Sequence, residues 1–530
     1  MNKVINKKTL NFIKKIFSSY YFWIGLLVLF YFSPMLIFPE FSYIDDGASL
    51  LTAKKIINSP ISDWPDYLFE SHIGRMRPMY YLYFVILYLI VGPSAFGFWL
   101  FRAIIFFLFL LGVYKLTIQN NNNKLSITHF ILLFVFILLP EVIENTFRLG
   151  PAEIRQALFM IWFMVSLKSF WKKIPTNKEI LIVNLFFVSA ILTKETAILL
   201  YPLFLIYFVN KLYFERKFFH SKKIWFLFVS ISLQMTMFLL ILPKQQGYTS
   251  SFQFSIKELW GKILISRLEM AHYYLLLSIA GILSLMRSFI AIKEREIKNF
   301  IYSFNWQVIY LFGIIFSLIF VFSWDHHLIR YYYLTIVFIW LYLLTEIGLF
   351  KKSLSKLKLF SNETKIILLL VCLGLFLEIY SSIFQKKGLE WNKVIDKSYQ
   401  SAYGWFRSYQ VSGPLIRYLY NNLPIGTQIY TTATDYEQII DMGYFASQFG
   451  DRNIIIYSSN ISAEKNHPET QRYAEDLLTL YDGASKPKLL ITDLFFIKEK
   501  NDKNQFIILR PKKNILFHEE SRFWRIKIDF

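Results

Sequence analysis

The chain has 530 residues, of which 55% are hydrophobic, with 55 Phe, 34 Tyr and a formal net charge of +21. Repeated apolar runs of about 20 residues exclude a soluble globular protein and indicate a polytopic membrane protein. The lysines lie in short loops between these runs, as the positive-inside rule expects, so the positive charge does not indicate a nucleic-acid partner.

Eleven apolar runs are candidate transmembrane helices. They cover residues 20–38, 96–118, 125–140, 153–170, 179–193, 196–210, 224–243, 271–292, 306–323, 331–350 and 364–384. The run at 20–38 follows lysines but lacks a small-residue cleavage site, so we interpret it as a retained helix rather than a signal peptide. The two short runs on either side of Lys194 are interpreted as two spans, and the alternative interpretation is a single broken helix around a cavity.

The run at residues 79–91 lies between prolines, and at about 13 residues it is too short to cross a hydrocarbon core of about 30 Å. If it does not cross, the lysine-rich segments all fall on the cytoplasmic side, whereas a crossing would misplace nearly all the later ones. We therefore predict a juxtamembrane helix in the outer interface. The first loop at 39–95 and every unusual polar group then share the extracytoplasmic face, and the N-terminus is cytoplasmic.

Two adjacent carboxylates, Asp45 and Asp46, follow the first apolar run. Acids at a membrane edge are costly to hold, which favours a functional role. Residues 48–57 continue with the stripe of a surface amphipathic helix, whose N-terminus stabilises an ionised carboxylate able to accept a proton or hold a cation. The alternative is that the pair only caps this helix, because Asp is a preferred capping residue.

Basic residues follow in the same loop and in the next span. Arg77 precedes a proline and presents planar, permanently charged donors that suit a phosphate, with an anchor to lipid headgroups as the alternative. Arg102 lies inside the second span, where a guanidinium needs a partner. An acid of the first loop is the candidate partner.

Three further outer segments carry charges. Glu153 begins a helix after a proline, where the helix dipole favours a carboxylate, and a solvated salt-bridged turn is the alternative. Lys194 and Glu195 interrupt an apolar stretch, which favours a position facing a cavity because charges there cost several kcal/mol unless paired. His327 and its neighbouring histidine lack the spacing of a helical zinc site, so Arg330 is the better candidate there, as a phosphate ligand.

Residues 385–530 are more polar and contain no span-length apolar run, so we predict an extracytoplasmic domain after the membrane domain of residues 1–384. Extended and helical segments alternate, which favours a soluble α/β domain. Strands are predicted at 428–432, 453–458, 488–491, 505–509, 515–518 and 524–528. Helices are predicted at 413–422, 436–448 and 468–481.

In chain order these residues resemble the GT-C superfamily of polytopic glycosyltransferases, in the branch of protein O-mannosyltransferases and lipid A aminoarabinose transferases. The family pattern has an acid pair in the first outer loop, a basic residue before a proline, an arginine early in the next span, an acid after the third, a Thr-Lys break and a late Arg-Tyr. The matching positions are Asp45-Asp46, Arg77-Pro78, Arg102, Glu153, Thr193-Lys194 and Arg330-Tyr331. Asp46, Arg77 and Glu153 replace the usual Glu, Lys and Asp, so the sugar does not follow from the resemblance.

The resemblance covers residues 20–350 and implies a GT-C type α-helical protein of a bacterial cytoplasmic membrane, to which the eleven predicted transmembrane helices belong. The C-terminal α/β domain is predicted from its sequence pattern alone, with an acceptor-binding module and a lid as the two alternatives for its role. The resemblance implies transfer, with inversion, of a sugar from a polyprenyl-phosphate donor to a hydroxyl of a lipid, glycan or protein. Asp45 would be the base, and Asp46 or Glu153 would orient the acceptor or a divalent metal ion. The donor phosphate would be bound by Arg77, Arg102, Lys194, Arg330 and Tyr331. Glu195 and His327 would line the same cavity.

Two other classes stay open at this point. A transporter or flippase of a lipid-linked saccharide would bind a headgroup with the same charges, and acids facing both membrane sides would favour it. A non-catalytic envelope protein whose tail binds a partner is the other class. The position of Asp45 would separate these classes. An enzyme needs Asp45 in an outward-open cavity that also holds Arg77 and Lys194, whereas a transporter needs a polar path through the membrane.

Overall fold

The computed structural model describes residues 19–37, 39, 41, 46–69, 76–117, 127–241, 271–293, 305–322 and 329–356, together with six strands between 428 and 509. Its α-helices are α1 (Tyr20–Ile37), α2 (Asp46–Asn58), α3 (Trp64–Phe69), α4 (Pro78–Val91), α5 (Ala95–Thr117), α6 (Ile127–Ile137), α7 (Pro140–Thr146), α8 (Glu153–Ser169), α9 (Asn177–Thr193), α10 (Leu200–Phe214), α11 (Lys222–Ile241), α12 (Ala271–Lys293), α13 (Asn305–Phe322) and α14 (Tyr333–Lys356). Short 3-10 helices lie at Ile61–Asp63, Glu195–Leu199, Arg216–Phe218 and Ile329–Tyr332.

Seven helical segments in the described part of the chain are long and apolar enough to cross a membrane, which makes the chain an integral membrane protein. They are α1, α5, Glu195–Phe214, α11, and the apolar parts of α12, α13 and α14. Three other predicted spans are present as helices that are shorter or bent. Helices α8 and α9 have only 17 residues each, and α6 meets α7 at a 66° bend. The eleventh run at 364–384 lies outside the described residues.

The centre of the bundle is α14 with the turn before it. In its span Arg330–Phe350, 89% of the residues are buried, against 22% in the span Leu275–Ile292 of α12. Helix α14 packs against α5, α8, α12 and α13. Large apolar side chains such as Leu285 and Phe289 of α12 stay exposed, as expected for a surface that faces lipid.

Two irregular points position the polar residues. The short helix predicted at 79–91 is confirmed as α4, which begins with Pro78 and ends at Gly92, whose φ is +60°. The predicted interruption at Lys194 is also present, because α9 ends at Thr193 and Lys194 is extended, with φ −160° and ψ 138°. The side chains of Lys194 and Glu195 therefore project from a break between two α-helices, where Lys194 is extended and Glu195 begins a 3-10 helix.

The described C-terminal residues form a six-stranded sheet in the order β3-β2-β1-β4-β5-β6. The strands are β1 (Gln428–Thr431), β2 (Ile455–Ser458), β3 (Leu478–Leu480), β4 (Leu489–Thr492), β5 (Phe496–Lys500) and β6 (Phe506–Leu509). The first four pair in parallel, with Gln428 opposite Ile455, and β4, β5 and β6 pair antiparallel.

In the C-terminal region four strand predictions are confirmed, one helix prediction is corrected, and one strand was not predicted. Strands β1, β2, β4 and β6 coincide with predicted extended segments. The helix predicted at 468–481 was wrong at its end, where β3 pairs with β2, and β5 was not predicted at all. Both strands obtain their backbone partners from distant residues, which local sequence does not report. The predicted helices at 413–422 and 436–448, and the strands at 515–518 and 524–528, lie outside the described residues.

Candidate functional site

Segments that are far apart in the chain meet at one end of the helix bundle, on the face that the lysine distribution predicts to be extracytoplasmic. We call the charged side chains of this region the outer cluster. It consists of Asp46, Arg77, Arg102, Glu144, Arg148, Glu153, Arg155, Lys194, Glu195 and Arg330. All except Arg77, Glu195 and Arg330 are at most 4% exposed. The charged residues that the sequence places on one membrane face thus come from segments that contact one another directly.

Lys194 is fixed by α8 and by an aromatic ring. Its Nζ lies 2.5 Å from Oε1 of Glu153, and 4.9 Å from the centre of the Tyr331 ring. Its carbonyl oxygen accepts a hydrogen bond of 3.0 Å from Gln156, which also accepts one of 2.9 Å from Thr196. The ammonium group therefore has a defined position at the break, with a carboxylate on one side and a ring face on another.

Gln156 is a site residue that the sequence reasoning missed. It is fully buried on α8, one turn after Glu153, and both ends of its amide group are bonded to the segment that follows α9. Positions i and i+3 lie on the same side of a helix. An uncharged polar residue three places after Glu153 in an otherwise apolar helix was the signal that could have identified it.

Arg77 and Glu195 form a two-pronged ion pair. The Arg77 Nε donates to Oε2 of Glu195 at 2.9 Å, and its Nη2 donates to Oε1 at 2.5 Å. The two side chains are 14% and 20% exposed, whereas those of Lys194 and Glu153 are each 5% exposed. The Arg77 pair is thus the more accessible of the two ion pairs beside the break.

Asp46 binds the backbone of the turn between α7 and α8. Its Oδ1 accepts hydrogen bonds of 3.0 Å from the amides of Leu149 and of Gly150, and the residue is fully buried. Charge-assisted bonds from backbone N–H groups are strong and satisfy donors that would otherwise be unpaired. This carboxylate therefore anchors the turn to the start of α2.

Two arginines bind the same turn through its carbonyl oxygens. Arg102 donates to the carbonyl oxygens of Arg148 at 2.7 Å, of Pro151 at 3.5 Å and of Asn145. The hydrogen bonds of Arg102 thus go to carbonyl oxygens of this turn, whereas Asp46, the acid of the first loop, is its electrostatic neighbour across the turn. Arg155 donates to the carbonyl oxygens of Leu149 and Gly150, each at 3.1 Å. Its guanidinium lies 4.5 to 4.9 Å from the ring centres of Tyr80, Tyr83 and Phe84.

Arg330 joins the outer cluster from the turn before α14. Its guanidinium lies 5.2 Å from the centre of the Tyr331 ring, and its carbonyl oxygen accepts a 3.1 Å hydrogen bond from Asn145. It is also an electrostatic neighbour of Glu144 and Glu153. Two predicted site residues, Asp45 and His327, lie outside the described residues.

The two acids named as candidate metal ligands are engaged by other groups. Asp46 accepts from backbone amides, and Glu153 is paired with Lys194. Within the part of the chain that the structure describes, no three His, Cys, Asp or Glu side chains are grouped as metal ligands. These donors do not fit a metal ion as they are arranged, so no chemical step below uses one.

Comparisons with other proteins are informative for solved structures only. No family model matches the sequence, and no curated protein matches it. The chain is similar to ArnT from Cupriavidus metallidurans bound to undecaprenyl phosphate, with 12% identity, a TM-score of 0.44, and coverage of 92% of this chain and 96% of that chain. The apo state of ArnT gives 11% identity, a TM-score of 0.44, and coverage of 89% and 92%.

A third similar structure is the archaeal oligosaccharyltransferase AglB from Archaeoglobus fulgidus, in complex with an inhibitory peptide and a dolichol-phosphate. Its identity is 12%, its TM-score is 0.40, and the coverage is 93% of this chain and 74% of that chain.

Proposed function

We propose that this protein is a membrane glycosyltransferase that transfers a sugar from a polyprenyl-phosphate donor to an acceptor hydroxyl at the extracytoplasmic face. The convergence of three cations from three separate segments carries the proposal. Arg77, Lys194 and Arg330 come from the residue before α4, the break after α9 and the turn before α14. Such a group of N–H donors at the membrane edge suits a lipid-linked phosphate.

The reaction would proceed as one displacement. The acceptor oxygen attacks the anomeric carbon on the face opposite the phosphate, and the new C–O bond forms as the bond to the phosphate oxygen breaks. The hydroxyl proton passes to a carboxylate, and polyprenyl phosphate leaves with an added negative charge. Cations that face this developing charge lower the barrier, and a positioned carboxylate accelerates the proton transfer.

Roles for individual side chains follow from their contacts. Arg77 is proposed to bind the phosphate, because it is the more exposed of the paired cations. Lys194, beside the ring of Tyr331, is proposed to face the same phosphate, with Glu153 keeping its ammonium in place. Asp45 is proposed as the base from the sequence alone. Asp46 is proposed to position the turn at Leu149 and Gly150 rather than to accept the proton.

The test is an assay of the purified protein in nanodiscs with a panel of polyprenyl-phosphate sugars and simple acceptor alcohols, scored by release of polyprenyl phosphate. We expect Asp45→Asn to lower the rate by about 100-fold or more, because general base catalysis contributes that much. The control is Asp66→Asn, which removes an exposed acid of the same loop.

Three outcomes would count against the assignment. Transfer at the wild-type rate by Asp45→Asn would remove this residue as the base. Movement of the lipid-linked sugar across the bilayer with no transfer would replace the transferase by a transporter. A change of equal size in Asp66→Asn would show that the effect of Asp45→Asn is a general effect of loop charge.

A further inference from the structure

The ion pair between Arg77 and Glu195 places a carboxylate on a cation that is more accessible than Lys194. Both oxygens of Glu195 are used, one by Nε and one by Nη2 of Arg77. This fork geometry is also the geometry in which a guanidinium binds a phosphate, because both acceptors offer two oxygens at similar spacing. Glu195 and a lipid phosphate would therefore need the same donors.

The position of this pair allows it to open. The two side chains are 14% and 20% exposed, so separating them leaves each within reach of water or of a headgroup. Opening the pair between Lys194 and Glu153, at 5% exposure for each side chain, would leave two charges without solvent. An incoming anion would thus exchange with a carboxylate at Arg77 more readily than at Lys194.

The backbone around Glu195 supports the same conclusion. Lys194 is extended and Glu195 begins a 3-10 helix, so the carboxylate is carried by a break between two helices rather than by a helix interior. Arg77 is the residue before α4 and its side chain makes no capping bond to that helix. Neither partner has to leave a helical turn when the pair separates.

We infer that Glu195 is an internal competitor of the lipid phosphate for Arg77, and that it promotes release of the polyprenyl-phosphate product. This inference rests on the proposed function. It adds that Glu195 determines how tightly the polyprenyl-phosphate product stays bound at the same site. The donor is a phosphodiester with one negative charge, whereas the product is a monoester with a charge of about −1.5 to −2 at pH 7. The displaced carboxylate stays next to the site and repels an anion in proportion to its charge, so it weakens binding of the product more than binding of the donor.

The experiment measures the affinity of polyprenyl phosphate for the full-length protein in phosphatidylcholine nanodiscs, which needs no sugar transfer. We expect Glu195→Gln to bind it about fivefold more tightly than the wild type and to be inhibited by it at about fivefold lower concentration. The KM for the sugar donor should fall by about twofold, and kcat should fall because release is slower. The matched control is Glu179→Gln, which neutralises a glutamate paired with Lys173 away from the outer cluster, and whose affinity should not change.

A second variant protects the test against misfolding. Glu195→Asp keeps the charge but is one methylene shorter and cannot keep both bonds to Arg77, so we expect it to bind polyprenyl phosphate about twofold more tightly than the wild type. In an Arg77→Gln background, the added Glu195→Gln change should no longer tighten binding. A structural role for Glu195 alone would lower stability and leave these affinities unchanged or weaker.

The possible results separate the inference from the proposed function. Equal or weaker lipid binding by Glu195→Gln, with normal sugar transfer by the wild type, overturns the competition and leaves the transferase. Tighter binding by Glu195→Gln without transfer by any protein supports the competition and overturns the transferase. Absence of polyprenyl-phosphate binding by the wild type and both variants overturns both.

Discussion

Two ion pairs of identical chemistry occupy different regions of this protein. Arg77 contacts Glu195 through Nε and Nη2, and Arg287 contacts Glu346 through the same two nitrogens, at 3.0 and 2.9 Å. The first pair joins the residue before α4 to the first residue of a 3-10 helix and is 14% and 20% exposed, whereas the second joins α12 to α14 and is 3% and 0% exposed. The two pairs thus have the same chemistry but different access to solvent, and the role proposed for the first pair depends on that access.

The pair between Arg287 and Glu346 belongs to the structural framework of the bundle. Arg287 lies about 24 Å along α12 from its first residue, and Glu346 about 20 Å along α14, by the helical rise of about 1.5 Å per residue. A bond of 3.0 Å between Ser284 and Tyr342 lies about one turn away on the same two helices. Both charges are neutralised where they lie, and burial keeps this pair from contact with a substrate.

The largest expected effect comes from breaking the closed pair. Glu346→Gln leaves the Arg287 guanidinium buried without a counter-charge, and we expect it to destabilise the folded protein by about 3 kcal/mol. Glu195→Gln should cost less than about 1 kcal/mol, because its pair is partly exposed. Unfolding of the purified proteins in detergent, followed by tryptophan fluorescence, measures both.

A double variant serves as the control for this prediction. Arg287→Met with Glu346→Leu removes both charges at similar volume, and should restore most of the lost stability. Equal destabilisation by Glu195→Gln and Glu346→Gln would contradict the distinction between an open and a closed pair.

A smaller effect is expected in the outer cluster when the turn before α8 loses its anchor. Asp46→Ala leaves the amides of Leu149 and Gly150 without their acceptor, and should destabilise the protein by about 2 kcal/mol. Hydrogen exchange of these two amides should become faster. Asp46→Asn keeps an acceptor oxygen and should lie between Asp46→Ala and the wild type, whereas unchanged exchange in Asp46→Ala would exclude the anchoring role.

The smallest of the three effects is expected at the contact between α13 and α14, the helix that carries Glu346. A Cβ at Gly313 of α13 would lie 2.5 Å from Cδ1 of Phe338 on α14, so Gly313→Ala must move one of the helices and should cost about 1–2 kcal/mol. The control is Gly25→Ala on α1, where the new Cβ would lie 3.6 Å from Phe107, an ordinary contact. Thermal unfolding of both variants in one detergent gives the comparison, and equal melting temperatures would contradict it.

Much of the fold could be predicted because local sequence controls it. Pro78 and Gly92 bound α4, and the charged pair Lys194-Glu195 ends α9 where the apolar run is interrupted. Span length was less predictable, since α6 and α7 form two helices at an angle where the sequence suggested one. In the C-terminal region, β3 and β5 depend on strand partners far along the chain, so local pattern was insufficient to predict them.

The sequence by itself determined which residues are charged and that they lie at the ends of apolar segments, and it predicts which membrane side the lysines occupy. These properties follow from hydrophobic run length and charge distribution, which need no contact between distant residues. Only the tertiary structure decided which acid meets which base. Arg77 meets Glu195 across 118 residues, and Asp46 meets the turn at Leu149 across 103. A carboxylate becomes an anchor or a competitor through the partner that packing places beside it.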